Sequence, residues 1–230
     1  KMSILEVKNL YYNLSQRAII EDFNLIVNPG EILTLFGPSG CGKSTFLKLV
    51  SGILRPSDGK INLNSKIAYM FQEHRLFENL SAYENIALVM QKEDSKWIYE
   101  MLNELGITSL DAKRYPAELS GGMRARVAFV RTMAANARLI LLDEPFSGLD
   151  FAMREILISK LQNIVKERDA SVILVTHDAY EACKVSKKIL FLSAYGMRVE
   201  KSLNIDRKNL DENAIKSLFN SEFKGRIYFD

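Results

Sequence analysis

The sequence predicts an α/β protein with a parallel central sheet, an antiparallel β border and an inserted helical subdomain. Four apolar runs have the length of buried strands, at 32–36, 139–142, 172–175 and 188–192. A helical pattern at 151–166 separates two of them, and alternating strands and helices favour parallel pairing. We therefore expect one domain over 1–230, with a helical subdomain inserted at about 78–135.

The remaining elements follow from shorter patterns. Further short strands are predicted at 4–9, 23–27, 60–63 and 67–70. Further helices are predicted from apolar spacing at 44–50, 83–89, 97–105 and 124–134. Beyond Lys201 the pattern weakens, so we expect only a short tail at about 203–230 that contains one helix, at about 209–219.

Composition limits the class of protein. With 230 residues, of which 47% are hydrophobic, the chain has ordinary globular composition. No apolar run could cross a bilayer, and residues 1–10 alternate like a strand rather than a secretory leader, so we expect a cytoplasmic location. Two isolated cysteines, Cys41 and Cys183, suggest reduced thiols. A net charge of +3 is too small to indicate a nucleic-acid partner.

A glycine-rich turn connects the predicted strand at 32–36 to the helix that follows it. Gly37, Gly42, Lys43 and Ser44 have the spacing of a P-loop, in which backbone N–H groups and the helix N-terminus surround phosphate oxygens. Lys43 is expected to reach the β- and γ-phosphates, and Ser44 to bind Mg²⁺. The predicted triphosphate site comprises Gly37, Pro38, Ser39, Gly40, Cys41, Gly42, Lys43, Ser44 and Thr45.

Two carboxylates, Asp143 and Glu144, end the apolar run at 139–142. Ligands in parallel sheets bind beyond the carboxyl ends of the strands, so both acids should reach the P-loop. Asp143 is expected to hold Mg²⁺, often through water, and Glu144 to accept a proton from an attacking water. Acids that end a strand are often only solvated, but the accompanying P-loop favours catalysis.

A second candidate anion site is formed by Ser120, Gly121 and Gly122 at the start of a predicted helix. These residues could be only a helix cap. Because the P-loop already surrounds the phosphates, however, a second cradle suggests that another copy of the chain contacts the same nucleotide, in a C₂ dimer.

Six motifs in order make the chain resemble the nucleotide-binding subunit of an ATP-binding cassette (ABC) transporter over nearly its whole length. They are the P-loop, Gln72, the signature at 119–123, Asp143 with Glu144, the D-loop at 147–150 and His177. The resemblance implies the P-loop NTPase fold with a RecA-like parallel core, an antiparallel β subdomain and a helical signature subdomain. It also implies that two copies enclose two ATP molecules with Mg²⁺, each between one P-loop and the other copy's signature.

The resemblance further implies roles for three residues outside the P-loop. Gln72 would sense the γ-phosphate and its metal, His177 would contact the γ-phosphate, and Asp150 would couple the two sites. Without the other motifs, Gln72 would be an ordinary polar residue, and His177 a solvated histidine at a strand end.

One position departs from the family pattern. The aromatic residue that usually stacks on adenine should fall near Leu14, whereas the nearby aromatics are Tyr11 and Tyr12. Tyr12 shares a strand face with Leu14 by the period of two. Either Tyr12 takes the stacking role or stacking is weak, and both tyrosines could be packing residues.

Rival classes differ in their motifs. P-loop kinases lack the signature, chromosome and repair ATPases carry long inserts, and translation factors carry two cassettes. The residues at 119–124, 143–146 and 176–178 are similar to those of bacterial importers of the nitrate, sulfonate, taurine and thiamine-precursor type. This implies permease subunits, a substrate-binding protein and a peripheral position on the inner membrane face; an exporter or a non-transport ABC ATPase is the alternative.

The segment after Gln72 suggests where a membrane partner docks. Leu76, Phe77, Leu80 and Tyr83 are predicted to line a groove for a short partner helix. The alternative is that these side chains pack the two subdomains together, since most large apolar residues are buried.

Overall fold

A computed structural model describes residues 2–205 together with Ile215 and Phe219. Its strands are Leu5–Leu14 (β1), Arg17–Val27 (β2), Ile32–Phe36 (β3), Asp58–Leu63 (β4), Ile67–Met70 (β5), Leu139–Asp143 (β6), Ser171–Thr176 (β7), Lys188–Leu192 (β8) and Val199–Asn204 (β9). Its α-helices are Lys43–Val50 (α1), Ala82–Ala87 (α2), Ser95–Glu104 (α3), Gly121–Ala134 (α4), Phe151–Arg168 (α5) and Ala179–Val185 (α6). Single 3₁₀ turns lie at Asp111–Lys113 and Pro116–Glu118.

The central sheet has six strands in the order β5-β6-β7-β3-β8-β9. The pairs from β5 to β8 are parallel, and only β9 runs antiparallel to its neighbour. Every residue of β3, β6 and β7 is buried. Strands that are covered on both faces read as continuous apolar runs, which is why the sequence identified these three. The predicted parallel core is therefore confirmed.

Successive residues of the central strands serve two different hydrophobic clusters, because side chains alternate across a sheet. Leu139 and Leu141 of β6 face a cluster that contains α1 and the three-stranded antiparallel sheet β2-β1-β4. Within it, the rings of Phe23 and Phe46 meet edge to face with centroids 5.0 Å apart. The antiparallel border thus packs over the P-loop helix.

The other face of the sheet packs against helices. Ile140 and Leu142 of β6 belong to a cluster with buried residues of α2, α3, α4 and α5. Helix α2 begins with a capping box, in which Ser81 and Glu84 satisfy each other's backbone N–H groups. Fully buried Asn85 holds the preceding loop, because its amide donates to the carbonyls of Phe77, Leu80 and Ser81.

Several elements differ from the sequence prediction. β1 and β2 are longer than predicted, and β9 and α6 were not predicted. β9 pairs with β8 through a tight turn at Gly196 and Met197, both with positive φ, and ends at Asn204 inside the predicted tail. Most residues of β9 are exposed, so its sequence lacks the alternation of apolar and polar residues that predicts a strand. The predicted tail helix at about 209–219 lies almost wholly outside the described residues.

Candidate nucleotide-binding and catalytic site

The strand order brings the predicted motifs to one edge of the sheet. The P-loop follows β3, His177 follows β7, Asp143 ends β6, and Gln72 follows β5. These strands are adjacent in the order β5-β6-β7-β3 and run parallel. Their carboxyl ends, where ligands of such sheets bind, therefore meet.

The P-loop turns sharply from β3 into α1. Gly42 precedes the helix with φ 113°, a left-handed conformation that L side chains rarely adopt. A Cβ there would lie 3.2 Å from the carbonyl oxygen of Ile19, so a larger residue would also crowd β2. The buried Lys43 ammonium donates to the carbonyls of Gly37 and Pro38, at 2.7 Å each. The lysine thus lies inside the turn, 3.7 Å from Cys41 Sγ.

The N-terminal end of α1 opens into a cleft of about 500 Å³. It is lined by Tyr12, Leu14, Ile19, Ser39, Gly40, Gly42, Lys43, Ser44, Thr45, Lys48, Leu54, Gln72 and Glu144. The lining combines polar groups of the P-loop with apolar side chains of β1, β2 and the loop after α1. This combination suits a ligand with a charged and a flat apolar part.

Asp143 connects the sheet to the P-loop helix. Its Oδ1 accepts a hydrogen bond from the Ser44 hydroxyl at 3.0 Å, and its Oδ2 lies 3.4 Å from the hydroxyl of Tyr69. Only 3% of the residue is exposed, and this burial raises the pKa of the carboxyl group. A hydroxyl and a carboxylate at this spacing are oxygen donors of the kind Mg²⁺ prefers, so the residues present fit such a cation.

Glu144 lies just beyond the strand in a left-handed conformation with φ 49°. Its N–H donates to the carbonyl of Val175 at 2.9 Å, so the backbone turn is held by β7. Its carboxylate contacts Gln72 Nε2 at 3.4 Å and His177 Nδ1 at 3.2 Å. Positive φ is uncommon for glutamate, and such outliers cluster at functional sites. The structure therefore brings all three predicted catalytic residues together.

The signature and D-loop residues lie apart from the cleft. Ser120 caps α4 by accepting from Met123 N at 3.2 Å, and Asp150 caps α5 by accepting from Met153 N at 2.9 Å. Ser120, Gly121 and Asp150 are exposed and Gly122 is partly exposed. None of them is among the residues that line the cleft of this chain.

Tyr12, the candidate for base stacking, and Leu14, where the family's aromatic residue should fall, line the same cleft. Tyr12 is partly buried, whereas Leu14 is 61% exposed. Tyr11 points elsewhere, into a depression with Glu21 and Arg198. Tyr11 and Tyr12 lie in different depressions because successive side chains along β1 point to opposite faces of the strand.

Sequence reasoning missed several residues of the site. Lys48 lies one helical turn after Ser44, a spacing that could have placed it on the same face of α1. Ile19 and Leu54 reach the cleft from β2 and from a loop, and Tyr69 reaches Asp143 across neighbouring strands. These depend on tertiary packing, so no local pattern could indicate them.

The predicted docking groove is partly wrong. Leu76 is 8% exposed and belongs to the hydrophobic cluster of the helices, so it packs the two subdomains together. Phe77 is 50% exposed, and Leu80 and Tyr83 are partly exposed. The side chain of Phe77 thus remains accessible beside them, while Asn85 fixes its backbone N–H at 2.8 Å.

This fold and this strand-end site define a P-loop nucleoside triphosphatase. The family model described as ABC transporter matches residues 20–147, more than half of the chain. The chain belongs to the ABC transporter family and is an ATP-binding cassette ATPase.

The chain is similar to proteins named for import. It is 36% identical over 225 residues to the aliphatic sulfonates import ATP-binding protein SsuB of Bacillus subtilis, covering 91% of this chain and 88% of that protein. The SsuB of Bacillus licheniformis is 37% identical over 82% of this chain and 78% of its own length. A spermidine/putrescine import ATP-binding protein PotA of Legionella pneumophila is 35% identical, over 81% of this chain and 56% of that protein.

The structure is similar to solved cassettes. One is a dimeric post-hydrolysis state of the ATP-binding cassette MJ0796 bound to ADP and Pi. The TM-score is 0.79 with 27% identity, and the superposition covers 88% of this chain and 99% of that one. Within residues 2–205, no helix is both long and apolar enough to cross a membrane.

Proposed function

We propose that the chain is the ATP-hydrolysing subunit of an importer of small solutes, and that it works as a dimer around two ATP molecules. The observation that carries the proposal is the convergence of the P-loop with Asp143, Glu144 and His177 at one sheet edge. Similarity to importer subunits for sulfonates and polyamines supports the transport role.

The P-loop end of the cleft would bind the triphosphate. Lys43 would exchange its two carbonyl contacts for phosphate oxygens, and the backbone N–H groups of 39–45 would bind the others. Ser44 and Asp143, with Gln72, would hold Mg²⁺. When bound, that cation supplies positive charge that polarises the γ-phosphate.

Glu144 would orient the attacking water and accept its proton. Glu144 lines the same cleft as Lys43 and Ser44, so it would be within reach of a water beside the γ-phosphate, as a general base requires. Gln72 and His177 contact opposite oxygens of the same carboxylate and would hold it in place while His177 reaches the γ-phosphate. Gln72, Glu144 and His177 follow the ends of the neighbouring strands β5, β6 and β7. A movement of the loop that carries Gln72 or of the loop that carries His177 would therefore change the position of the Glu144 carboxylate.

The second copy would complete each site. Ser120, Gly121 and Gly122 present a capped helix N-terminus, yet this lies outside their own chain's cleft. A twofold arrangement places this N-terminus of one copy over the P-loop of the other, with Asp150 near the shared interface.

Transport requires partners beyond a second copy. Permease subunits would receive the exposed Phe77 at the boundary of the helical subdomain, at about 78–135, and a substrate-binding protein would select the solute. The chain would then lie at the inner face of the membrane, held there by the permease. No nucleic acid would be involved.

The deciding experiment is the turnover of Glu144→Gln. The amide is nearly isosteric, so ATP binding should persist while hydrolysis falls by roughly 10²–10⁴-fold. Binding and steady-state hydrolysis are measured on the same preparation. Glu167→Gln, at an exposed position of α5, is the matched control and should hydrolyse ATP normally. Normal turnover in Glu144→Gln would contradict the assignment.

A further inference from the structure

A network of polar side chains holds the backbone on both sides of His177. His177 lies between Thr176, the last residue of β7, and Asp178, the N-cap of α6. Glu181 on the first turn of α6 and Arg154 on α5 complete the network. A small depression of about 160 Å³ connects these residues to Glu144 and to the D-loop.

The distances show that every member contacts at least one other. The Thr176 hydroxyl lies 2.5 Å from Glu181 Oε2 and accepts from Asp178 N at 3.0 Å. Asp178 Oδ1 accepts from Glu181 N at 3.0 Å, and its Oδ2 accepts from Arg154 at 2.8 Å. The buried Nε of Arg154 lies 3.5 Å from Glu181 Oε1, an ion-pair distance without hydrogen-bond geometry.

Such a network is costly to bury. Glu181 is only 4% exposed, and its burial raises the pKa of the carboxyl group to about 7, despite the Thr176 hydroxyl. Apolar residues can often replace a buried ion pair without loss of stability. Stability alone is therefore a weak explanation for the buried Glu181 carboxyl group beside the partly exposed Arg154 and Asp178.

The position of the network beside His177 suggests that these side chains fix the backbone that carries the histidine. The His177 side chain is 65% exposed and contacts the Glu144 carboxylate at 3.2 Å. Its direction depends on the backbone between Thr176 and Asp178, and both of these residues belong to the network. Arg154 lies one turn into α5, where its N–H donates to the carbonyl of Asp150. The arginine thus joins the D-loop helix to the turn that carries the histidine.

We propose that Arg154 is a positioning residue for ATP hydrolysis, which holds the Thr176–Glu181 turn so that His177 meets Glu144. The proposal rests on the proposed function, in which His177 acts at the γ-phosphate. Asp150 caps α5, and Arg154 lies one turn further along the same helix. A movement of the D-loop would therefore reach His177 through the contact between Arg154 and Asp178.

The test combines turnover with a direct probe of His177. Arg154→Met keeps the aliphatic stem and removes the charge, whereas Arg154→Lys keeps a charge. With Arg154→Met, kcat should fall by about 10–100-fold, the scale of a misplaced catalytic group, while KM changes little. Arg154→Lys should restore part of the loss. Arg138→Met, which breaks only an exposed pair with Asp169, is the control and should behave as the wild type.

The second readout does not depend on turnover. The chain has two histidines, so ethoxycarbonylation by diethyl pyrocarbonate can be followed at each by mass spectrometry. Arg154→Met should change the rate at His177 several-fold and leave half-buried His74 as an internal reference.

The outcomes separate the proposals. An unchanged rate at His177, or a kcat equal to that of the control, would overturn the positioning role. If Arg154→Met does not fold, Asp178→Asn replaces it, because the amide keeps the cap but loses the charge, and the same two readouts decide. A wild-type chain that does not hydrolyse ATP would defeat the proposed function, while the modification rate at His177 would still show whether Arg154 positions that side chain.

Discussion

At the scale of single residues, the chemistry of the site depends on backbone turns as much as on side chains. Glu144 has φ 49° and is held by the carbonyl of Val175, so its carboxylate leaves the direction of β6 and reaches Gln72 and His177. Gly42 has φ 113° for a related reason, because the turn into α1 must pass close to Ile19. A larger residue at Gly42 would therefore alter the shape of the site, whereas Glu144→Gln would change its chemistry and leave the backbone turn in place.

The base end of the cleft gives a prediction at this scale. If Tyr12 stacks on adenine, Tyr12→Ala should weaken ATP binding by about 1–3 kcal/mol, the range of a base–aromatic contact. If the site lacks a stacking residue, Leu14→Tyr should instead strengthen binding, because Leu14 lines the same cleft and is largely exposed. Titration calorimetry measures the ATP affinity of both variants.

Tyr11→Ala is the matched control for the base pocket, since this tyrosine lies on the same strand but in a different depression. It should bind ATP as the wild type does. If all four proteins bind with equal affinity, neither Tyr12 nor Leu14 meets the base.

At the scale of elements, hydrogen bonds attach the loop after β5 to helix α4. Arg131 on α4 donates to the carbonyls of His74 and Arg75, at 2.8 Å each. The loop that contains Gln72 is thereby attached to the signature helix. A shift of α4 relative to the sheet would consequently displace Gln72, and the exposed Phe77 lies on the same loop.

We predict that Phe77→Glu disrupts docking to the permease without disrupting the cassette. Phe77 is half exposed, so a charge there can remain in water, and folding and ATP hydrolysis of the isolated subunit should be retained. Co-purification with the proposed permease subunits should be lost, because the apolar anchor is removed.

Ile53→Glu is the control for docking, because Ile53 is 51% exposed but lies in the loop after α1. It should co-purify normally. Loss of folding in Phe77→Glu would show that Phe77 packs the subdomains together, and normal transport would refute the docking role.

At the scale of the whole molecule, the proposed function assigns two phosphate half-sites to each chain. The cleft contains P-loop residues, whereas Ser120, which caps α4, is not among the residues that line it. Lys43→Ala removes one half-site, and Ser120→Arg blocks the other. In a mixed dimer both defects fall in one composite site, so the second site is intact.

Mixing these two inactive variants should therefore restore ATP hydrolysis. Restored activity should reach at most about a quarter of the wild-type rate, since half of randomly formed dimers are mixed and each retains one of its two sites. A mixture of Lys43→Ala and Asp143→Asn is the control, because each defect then removes a different site and no dimer has an intact one. Failure of the first mixture to recover would indicate a monomeric enzyme.

The sequence by itself determined the features that are local along the chain. The P-loop turn, the buried strands and the acids that end β6 are each specified by neighbouring residues, through apolar period or the conformational freedom of glycine. The order of motifs was sufficient for the family, which the comparisons confirm. Mostly exposed β9 and the short helix α6 lacked a strong local pattern and were missed.

Only the tertiary structure decided which residues meet. The order β5-β6-β7-β3 brings Gln72, Glu144 and His177 into contact, although they are far apart in the chain. Strand order and the burial of Leu76 depend on how apolar faces pack between distant segments, and no short stretch of sequence contains that information. For the same reason Arg154, which lies 24 positions before Asp178, could be recognised only once α5 and α6 were seen together.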